Sequence, residues 1–272
     1  MTTGEQIAIT SLYVPGDRPE RFDKAVATGT DVVILDLEDG VAPANKATAR
    51  EAVVAWVAAR ESGPPVIEVR VNAGDGDDLA ALRGLEDAVV VKVPKVESSA
   101  DIDAVIAVLP GARISALIET ALGVERALEI AAHPAVIDVS LGEADLASDL
   151  GSRHQAVLDH ARIRLLFAAR AAGKAAPMMS VYADIADLDG LRADTERARA
   201  MGFVGRTAIH PSQVAVIRAA FAPDPADVQW ANDVVTVMAA GGVTTLANGE
   251  MVDPAMLGRA RAILALDAAQ HR

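Results

Sequence analysis

Cysteine is absent from the 272 residues, which excludes disulfides, thiolate metal sites and cysteine nucleophiles. Also missing is any uninterrupted apolar stretch of about 18 residues, so nothing reads as a membrane span. The opening M-T-T-G-E-Q has neither the basic start nor the long apolar core of a secretory signal, and a cytoplasmic location is the expectation. No basic run offsets the formal net charge of −13, so nucleic acid is not an expected partner. That acidity reads as a solvated surface, and an anionic substrate would need a local cluster of Arg or Lys. The fingerprint G-x-G-x-x-G is missing after the first strand-like run, which weakens a dinucleotide-binding reading. G-x-S-x-G is missing too, and the five histidines show neither metal-ligand spacing nor a serine-triad order.

What is present is 51% hydrophobic residues in a regular alternation. Short, nearly continuous apolar runs at 9–14, 32–37, 66–72, 88–94, 114–119, 136–141, 177–182 and 205–210 read as parallel strands buried on both faces. The seventh, which opens Pro177-Met178-Met179, has the poorest strand pattern. Helical patterns fill the gaps at 19–28, 43–60, 77–85, 98–108, 123–132, 157–172, 187–201 and 211–221. Eight strands alternating with eight helices predict a closed (β/α)₈ TIM barrel over residues 1–221; a doubly wound open sheet is the alternative. Residues 222–272 exceed what a barrel needs. They read as a helix at 226–240, a hairpin turned at Asn248-Gly249, and a last helix from Pro254, a C-terminal extension suited to a lid or subunit contact.

Active sites of (β/α)₈ barrels lie at the C-terminal ends of the strands, so the strand ends are the place to look for chemistry. The second run ends in D-L-E-D-G (Asp36, Glu38, Asp39), the third in R-V-N (Arg70, Asn72), the fourth in V-P-K (Lys95), the fifth at Glu119 and the sixth at Gly142, Glu143 and Asp145. Carboxylates gathered in this way repel one another unless their pKa values rise or a cation joins them. Glu119 and Asp145 are the pair best suited to share a hard, oxygen-seeking ion such as Mg²⁺. Arg70 is then the cationic partner of a substrate carboxylate or a developing enolate. Beyond the first strand, Arg18, Arg21 and Lys24 supply local positive charge of the kind that holds phosphates; the same residues also suit an ordinary mixed-charge helix start. His210, in I-H-P-S-Q, reads mainly as a structural hydrogen bonder, and Asp253 before Pro254 is a good helix N-cap.

Taken together, P-G-D-R-P-E-R-F (15–22), V-V-I-L-D-L-E-D-G-V (32–41), R-V-N (70–72), V-P-K-V-E-S (93–98), L-I-E-T-A-L-G-V (117–124), D-L-A-S-D-L-G (145–151), A-I-H-P-S-Q (208–213) and G-E-M-V-D (249–253) carry a resemblance over almost the whole length. The chain resembles the citrate lyase beta-subunit-like proteins of the HpcH/HpaI aldolase family. The resemblance implies a (β/α)₈ barrel, Mg²⁺ (or Mn²⁺) held at Glu119 and Asp145, and carbon–carbon bond cleavage or formation on a coenzyme A thioester of the citryl, citramalyl or malyl type. By the same resemblance Arg70 holds the oxo-acid or thioester oxygen, and Arg18, Arg21 and Lys24 lie near the coenzyme A phosphates. Lys95, Gly142 and Glu143 fall in the substrate-binding segments. Asp36, Glu38 and Asp39 stand behind the metal to orient its waters, with Glu38 also counted among the catalytic groups. Asp253 matches a lid aspartate that reaches a neighbouring subunit's site and exchanges a proton, in assemblies that are homotrimers or dimers of trimers.

The pattern is not copied throughout. Where many relatives read G-A-E-D-L, this chain reads Gly142-Glu143-Ala144-Asp145-Leu146, so an acid has moved one place. Met178-Met179-Ser180 stands where an Asp is common, and Pro254 directly follows the lid aspartate. A branch acting on free 4-hydroxy-2-oxo acids carries His where this chain has Asp39, which argues against that activity. Two other readings remain: the lyase subunit of a citrate lyase complex working on an acyl-carrier-protein thioester, and a non-catalytic acyl-CoA-binding barrel.

Overall fold

The structure, a computed structural model, describes residues 7–239, 244–246 and 249–271. Apolar continuity sets the strands: β1 (Thr10–Pro15), β2 (Val32–Asp36), β3 (Val66–Arg70), β4 (Val90–Val93), β5 (Arg113–Ile118), β6 (Val136–Leu141), β7 (Met178–Met179) and β8 (Gly205–Ala208). Every residue of β2 is buried, as expected of a strand covered on both faces. The strands are parallel neighbours in the order β6-β5-β4-β3-β2-β1-β8-β7 and form a nearly closed barrel. Between β6 and β7 no backbone ladder forms among the described residues. A side chain bridges that seam instead, with Ser180 Oγ donating to Leu141 O at 2.7 Å. The two-residue β7 is much shorter than the run at 177–182 suggests. Pro177 opens that run with no N–H to give a ladder, and the Ser180 carbonyl accepts from the Arg206 side chain at 3.0 Å in place of a strand N–H.

The outer layer is α1 (Phe22–Val26), α2 (Lys46–Ala59), α3 (Gly76–Ala81), α4 (Ser99–Val108), α5 (Ala121–Glu125), α6 (Ala127–Ala132), α7 (Glu143–Asp149), α8 (Gln155–Ala171), α9 (Leu188–Met201) and α10 (Pro211–Phe221). Three of these correct the sequence-based expectation. The first helix begins with a 3₁₀ turn at Pro19–Arg21 and has only five α-helical residues. The helix expected at 123–132 is two, α5 and α6, hinged at Arg126 (φ −98°, ψ 11°). Gly123 is there for close approach, since a Cβ on it would stand 2.6 Å from Val96 O. The third, α7, was not anticipated at all: seven residues are too few for an apolar period to declare itself. Asp145 therefore does not end β6, which stops at Leu141, but sits in the first turn of α7.

The N-terminal face of the barrel is closed by Asp31. Its Oδ2 accepts from Ile9 N (3.0 Å), Thr10 N (2.9 Å), Thr10 Oγ1 (3.1 Å) and Arg218 Nη2 (2.9 Å), tying β1 to α10. The C-terminal extension consists of α11 (Pro225–Ala239), an antiparallel pair β9 (Thr244–Thr245) and β10 (Met251–Val252), and α12 (Met256–Gln270). Asn248 of the expected turn lies outside the described residues; Gly249 has the positive φ (89°) such a turn requires. The extension has its own small apolar cluster, Ala231, Val234, Leu246, Val252 and Ala260. It meets the barrel through Arg218 Nη1, which donates to Ala269 O at 3.3 Å.

Candidate active site

The strand ends open on a cavity of about 480 Å³, within the size range of small-molecule sites. Asp36, Asp39, Arg70, Glu119, Glu143 and Asp145 all line it. Parallel register explains the first pairing: Asp36 of β2 stands beside Arg70 of β3. The two carboxylate oxygens of Asp36 accept Arg70 Nε and Nη2, both at 2.7 Å, the fork geometry guanidinium groups favour. Asp36 also accepts the backbone N–H of Glu38 (2.9 Å) and Gly40 (2.8 Å), so one side chain fixes both the arginine and the D-L-E-D-G turn. Arg70 Nη1 is 3.0 Å from Glu38 Oε2, an ion pair without hydrogen-bond alignment, as that oxygen has no hydrogen-bond partner among the described residues. The guanidinium lies over the Tyr13 ring, 4.9 Å from its centroid. Burial opposes the charge of Arg70, but Asp36 outweighs it and holds the group protonated.

Lys95 follows β4 with φ +54°, a left-handed conformation that strains a side-chain-bearing residue. That conformation turns its Nζ to Glu38 Oε1 (2.7 Å) and to within 3.6 Å of Asp145 Oδ2. Burial raises the pKa of Glu38, although the hydrogen bond from Lys95 works against it.

Glu119 follows β5 and is only 3% exposed. Burial, then the contact with Asp145, pushes its pKa up to about 8. Asp145 is held below its ordinary value, by Glu119 first and then by Lys95 against the effect of burial. Two carboxyl groups in contact, one buried, need a shared proton or a cation between them. Glu119 Oε1 is buried without any hydrogen-bond partner among the described residues. Gly142 leaves the room this side chain needs, because a Cβ there would stand 2.5 Å from Glu119 Cγ and 2.8 Å from its Cδ. The donors are hard oxygens, one orphaned and one half-exposed, and they fit Mg²⁺. No group of three or more His, Asp or Glu suited to a metal occurs among the described residues. Two protein carboxylates nevertheless suffice for an ion that keeps several waters or substrate oxygens.

The remaining expected residues are placed differently. Glu143, in α7, lines the cavity, but its carboxylate is engaged by Arg162 of α8, with Nε to Oε1 at 2.7 Å. Arg162 is 4% exposed and also donates to Asp159 at 2.8 Å. It pins the turn that carries Asp145, a role with no signature in the sequence. Arg18, Arg21 and Lys24 are exposed and outside the cavity. Arg18 and Arg21 reach their acidic neighbours only at 3.8 Å. Asp253 does not line the cavity of its own chain; its Oδ1 accepts Ala255 N at 2.8 Å. His210 caps α10 by accepting Ser212 N at 3.2 Å. Lys92, Tyr13 and Ser140 line the cavity without having been singled out. Strand period is a signal for Tyr13 and Ser140, each two residues before a cavity-lining strand-end residue, Pro15 and Gly142; Lys92 is placed by its register with Arg70, which spacing does not show.

The family model for HpcH/HpaI aldolase/citrate lyase matches residues 10–211. Among curated relatives, a (3S)-malyl-CoA thioesterase of Cereibacter sphaeroides is 39% identical over 228 residues, 81% of this chain and 79% of the relative. A citrate lyase subunit beta-like protein of Mycobacterium tuberculosis is 39% identical over 267 residues, 93% of each chain. Among solved structures, the protein CitE from Mycobacterium tuberculosis in complex with magnesium, acetoacetate and coenzyme A superposes with a TM-score of 0.81 at 37% identity. That match covers 96% of this chain and 98% of the other.

Proposed function

The chain belongs to the HpcH/HpaI aldolase/citrate lyase family, and we propose that it is a Mg²⁺-dependent carbon–carbon lyase acting on a β-hydroxyacyl-CoA thioester. The products are an acyl-CoA and a 2-oxo acid, and the reaction is open in both directions. The observation that carries this reading is the pair Glu119 and Asp145, a buried carboxyl with an orphaned oxygen beside a half-exposed carboxylate, next to an arginine held by Asp36. Bound there, Mg²⁺ would supply Lewis-acid polarisation of the oxo-acid oxygens.

The rest of the chemistry falls to side chains of this chain. Asp36 locks the Arg70 guanidinium so that its remaining N–H groups face the cavity, where they stabilise negative charge on the thioester or carboxylate oxygen. Glu38, held between Arg70 and Lys95, orients water behind the carboxylate pair. In cleavage the β-hydroxyl passes its proton to the carboxylate that later returns it, the bond between the α and β carbons breaks, and its electron pair becomes the thioester enolate. A proton returned to the α carbon completes the acyl-CoA. Asp253 of a neighbouring copy is assigned that proton transfer, which accounts for its absence from its own chain's cavity. Arg18, Arg21 and Lys24, exposed and weakly paired, suit the coenzyme A phosphates.

An assembly of copies, taken to be a homotrimer or a dimer of trimers, is supported by apolar surface on α6 and α8. Leu128 is 51%, Ile163 45% and Phe167 74% exposed, and Ile163 and Phe167 are one helical turn apart. No described helix is long and apolar enough to cross a membrane.

The test is a mass-spectrometric screen of the purified protein with Mg²⁺, acetyl- or propionyl-CoA, and glyoxylate, pyruvate or oxaloacetate. New condensed thioester should form and should vanish with excess EDTA and in Glu119→Ala. Turnover that survives both treatments would refute the reading. Mixing inactive Asp253→Asn with inactive Glu119→Ala subunits should restore part of the activity if the site is shared between copies.

A further inference from the structure

The cavity does not stop at the carboxylates. Two residues before Pro15, Glu119 and Gly142 along β1, β5 and β6 come Tyr13, Leu117 and Ser140, and these line it together with Lys92 of β4 and Thr207 of β8. Two residues of strand span about 7 Å, so this second layer lies one pleat below the mouth. Interior layers of (β/α)₈ barrels are usually filled with branched apolar side chains; this one is mostly polar.

Its polar groups are held in place yet incompletely used. Lys92 is 5% exposed. Its Nζ donates to Glu68 Oε2 at 3.0 Å and to Ser115 Oγ at 2.8 Å, and the Ser115 hydroxyl donates to Asp138 Oδ1 at 2.6 Å. An ammonium has three N–H groups, so one remains to be given on a side chain that lines the cavity. Ser140 Oγ is buried with no hydrogen-bond partner among the described residues. The Tyr13 hydroxyl receives no hydrogen bond and makes none among them, while its ring is fixed beneath Arg70. Thr207 Oγ1 accepts from Ser11 at 2.9 Å, which leaves its own hydrogen to give. A buried polar group left unpaired is costly; Ser140 Oγ is one, and donors with capacity to spare surround it in the same ligand-sized cavity. The Lys92 ammonium can only donate and the hydroxyls can donate as well, so an acceptor satisfies them all.

We infer that this lower layer is a specificity subsite for an oxygen-bearing, hydrogen-bond-accepting end group on the oxo-acid half of the substrate. The inference rests on the proposed function, which puts the acid's carboxylate at the mouth. From there the far end of a short 2-oxo acid points down the barrel to Tyr13, Lys92 and Ser140. An alkyl end would strand those donors, and sites built to hydrogen-bond discriminate strongly against analogues lacking the group.

Calorimetric titration of the full chain in Mg²⁺, without any acyl-CoA and hence without turnover, tests this. The three probes are 2-oxobutyrate, 3-hydroxypyruvate and oxaloacetate, with methyl, hydroxyl and carboxylate ends. At least one oxygen-ended acid should bind tenfold or more tighter than 2-oxobutyrate. Preference for the hydroxyl end assigns a neutral acceptor; preference for the carboxylate end assigns the charge of Lys92 to the ligand. Tyr13→Phe, which keeps the ring under Arg70, and Ser140→Ala should each narrow the gap several-fold through weaker binding of the oxygen-ended acid. Equal affinity of all three acids for the unaltered protein overturns the subsite and leaves the proposed function standing, as does a gap that persists in both variants. A variant that weakens all three acids equally assigns a structural role and likewise overturns it. Failure of every acid to bind in Mg²⁺ overturns the proposed function, and the subsite with it.

Discussion

Removing the charge of Glu119 should stabilise the metal-free protein, and by an amount that grows with pH. The carboxyl is 3% exposed, and burial together with Asp145 moves its pKa from 4.5 to about 8. The folded chain therefore holds a proton between these values that the unfolded chain has released. Stability falls with rising pH wherever the folded state binds more protons. The loss begins near the unfolded pKa and levels off above the folded one. At about 1.4 kcal/mol per pH unit the full span corresponds to roughly 5 kcal/mol. Between about pH 5.5 and about pH 8.5 this group should remove about 3 kcal/mol. Glu119→Gln keeps the shape and cannot ionise. Urea unfolding of both proteins in EDTA at these two pH values isolates the effect, because Asp145, the partner most altered by the substitution, is ionised at both and the other titrating groups are common to them. The difference in unfolding free energy, variant minus wild type, should increase by about 3 kcal/mol towards the alkaline end. Mg²⁺ should narrow the difference by more than half at the higher pH, since an ion that binds only the folded wild-type chain at 100 times its Kd adds about 2.7 kcal/mol. A difference that stays flat with pH in EDTA would refute the buried, raised carboxyl and with it the charge argument for a cation at this site.

Gly142→Ala should leave the barrel folded but displace Glu119, whose Cγ would be 2.5 Å from the new Cβ; Mg²⁺-induced stabilisation measured by thermal shift should be largely lost. Arg70→Lys should lower kcat/KM about a hundredfold or more, because a lysine cannot reproduce the two-pronged bond to Asp36 and still present N–H groups to the cavity; the check is steady-state kinetics on whichever thioester the screen identifies. Asp31→Ala removes the acceptor of four hydrogen bonds at the opposite face and takes the carboxylate partner from Arg218. It should cost about 2–4 kcal/mol in urea unfolding without changing the affinity for Mg²⁺.

The barrel is legible in the sequence because strands covered on both faces must be continuously apolar, and six or more such runs cannot be mistaken for helix faces. β6 falls where its pattern puts it, and the others shift by a few residues at their ends. Elements too short to show a period escape this logic. The two-residue β7 is a strand only because β8 is beside it, and α7 is a helix with too few turns to repeat an apolar position. The break at Arg126 is equally silent, since Gly123 reports a contact with Val96 O that lies in another loop.

The site divides along the same line. Glu119 and Arg70 can be picked out because a charged residue closing an apolar run needs a reason to be there. Their relation to other residues cannot, because register rather than spacing brings Asp36 alongside Arg70, and the fold brings Gly142 against Glu119. Arg162 looks like any helical arginine until α8 packs it against α7. Lys92 was hidden for a different reason. Within V-V-K-V it reads as an exception inside a strand, and strand ends draw attention away from strand interiors. A lysine there has only two physical outcomes, since a buried ammonium must be paired: a wholly satisfied ion pair, or a donor kept for a ligand. With Glu68 and Ser115 taking two of its hydrogens and Ser140 unpartnered beside the same cavity, the second outcome accounts for both residues at once.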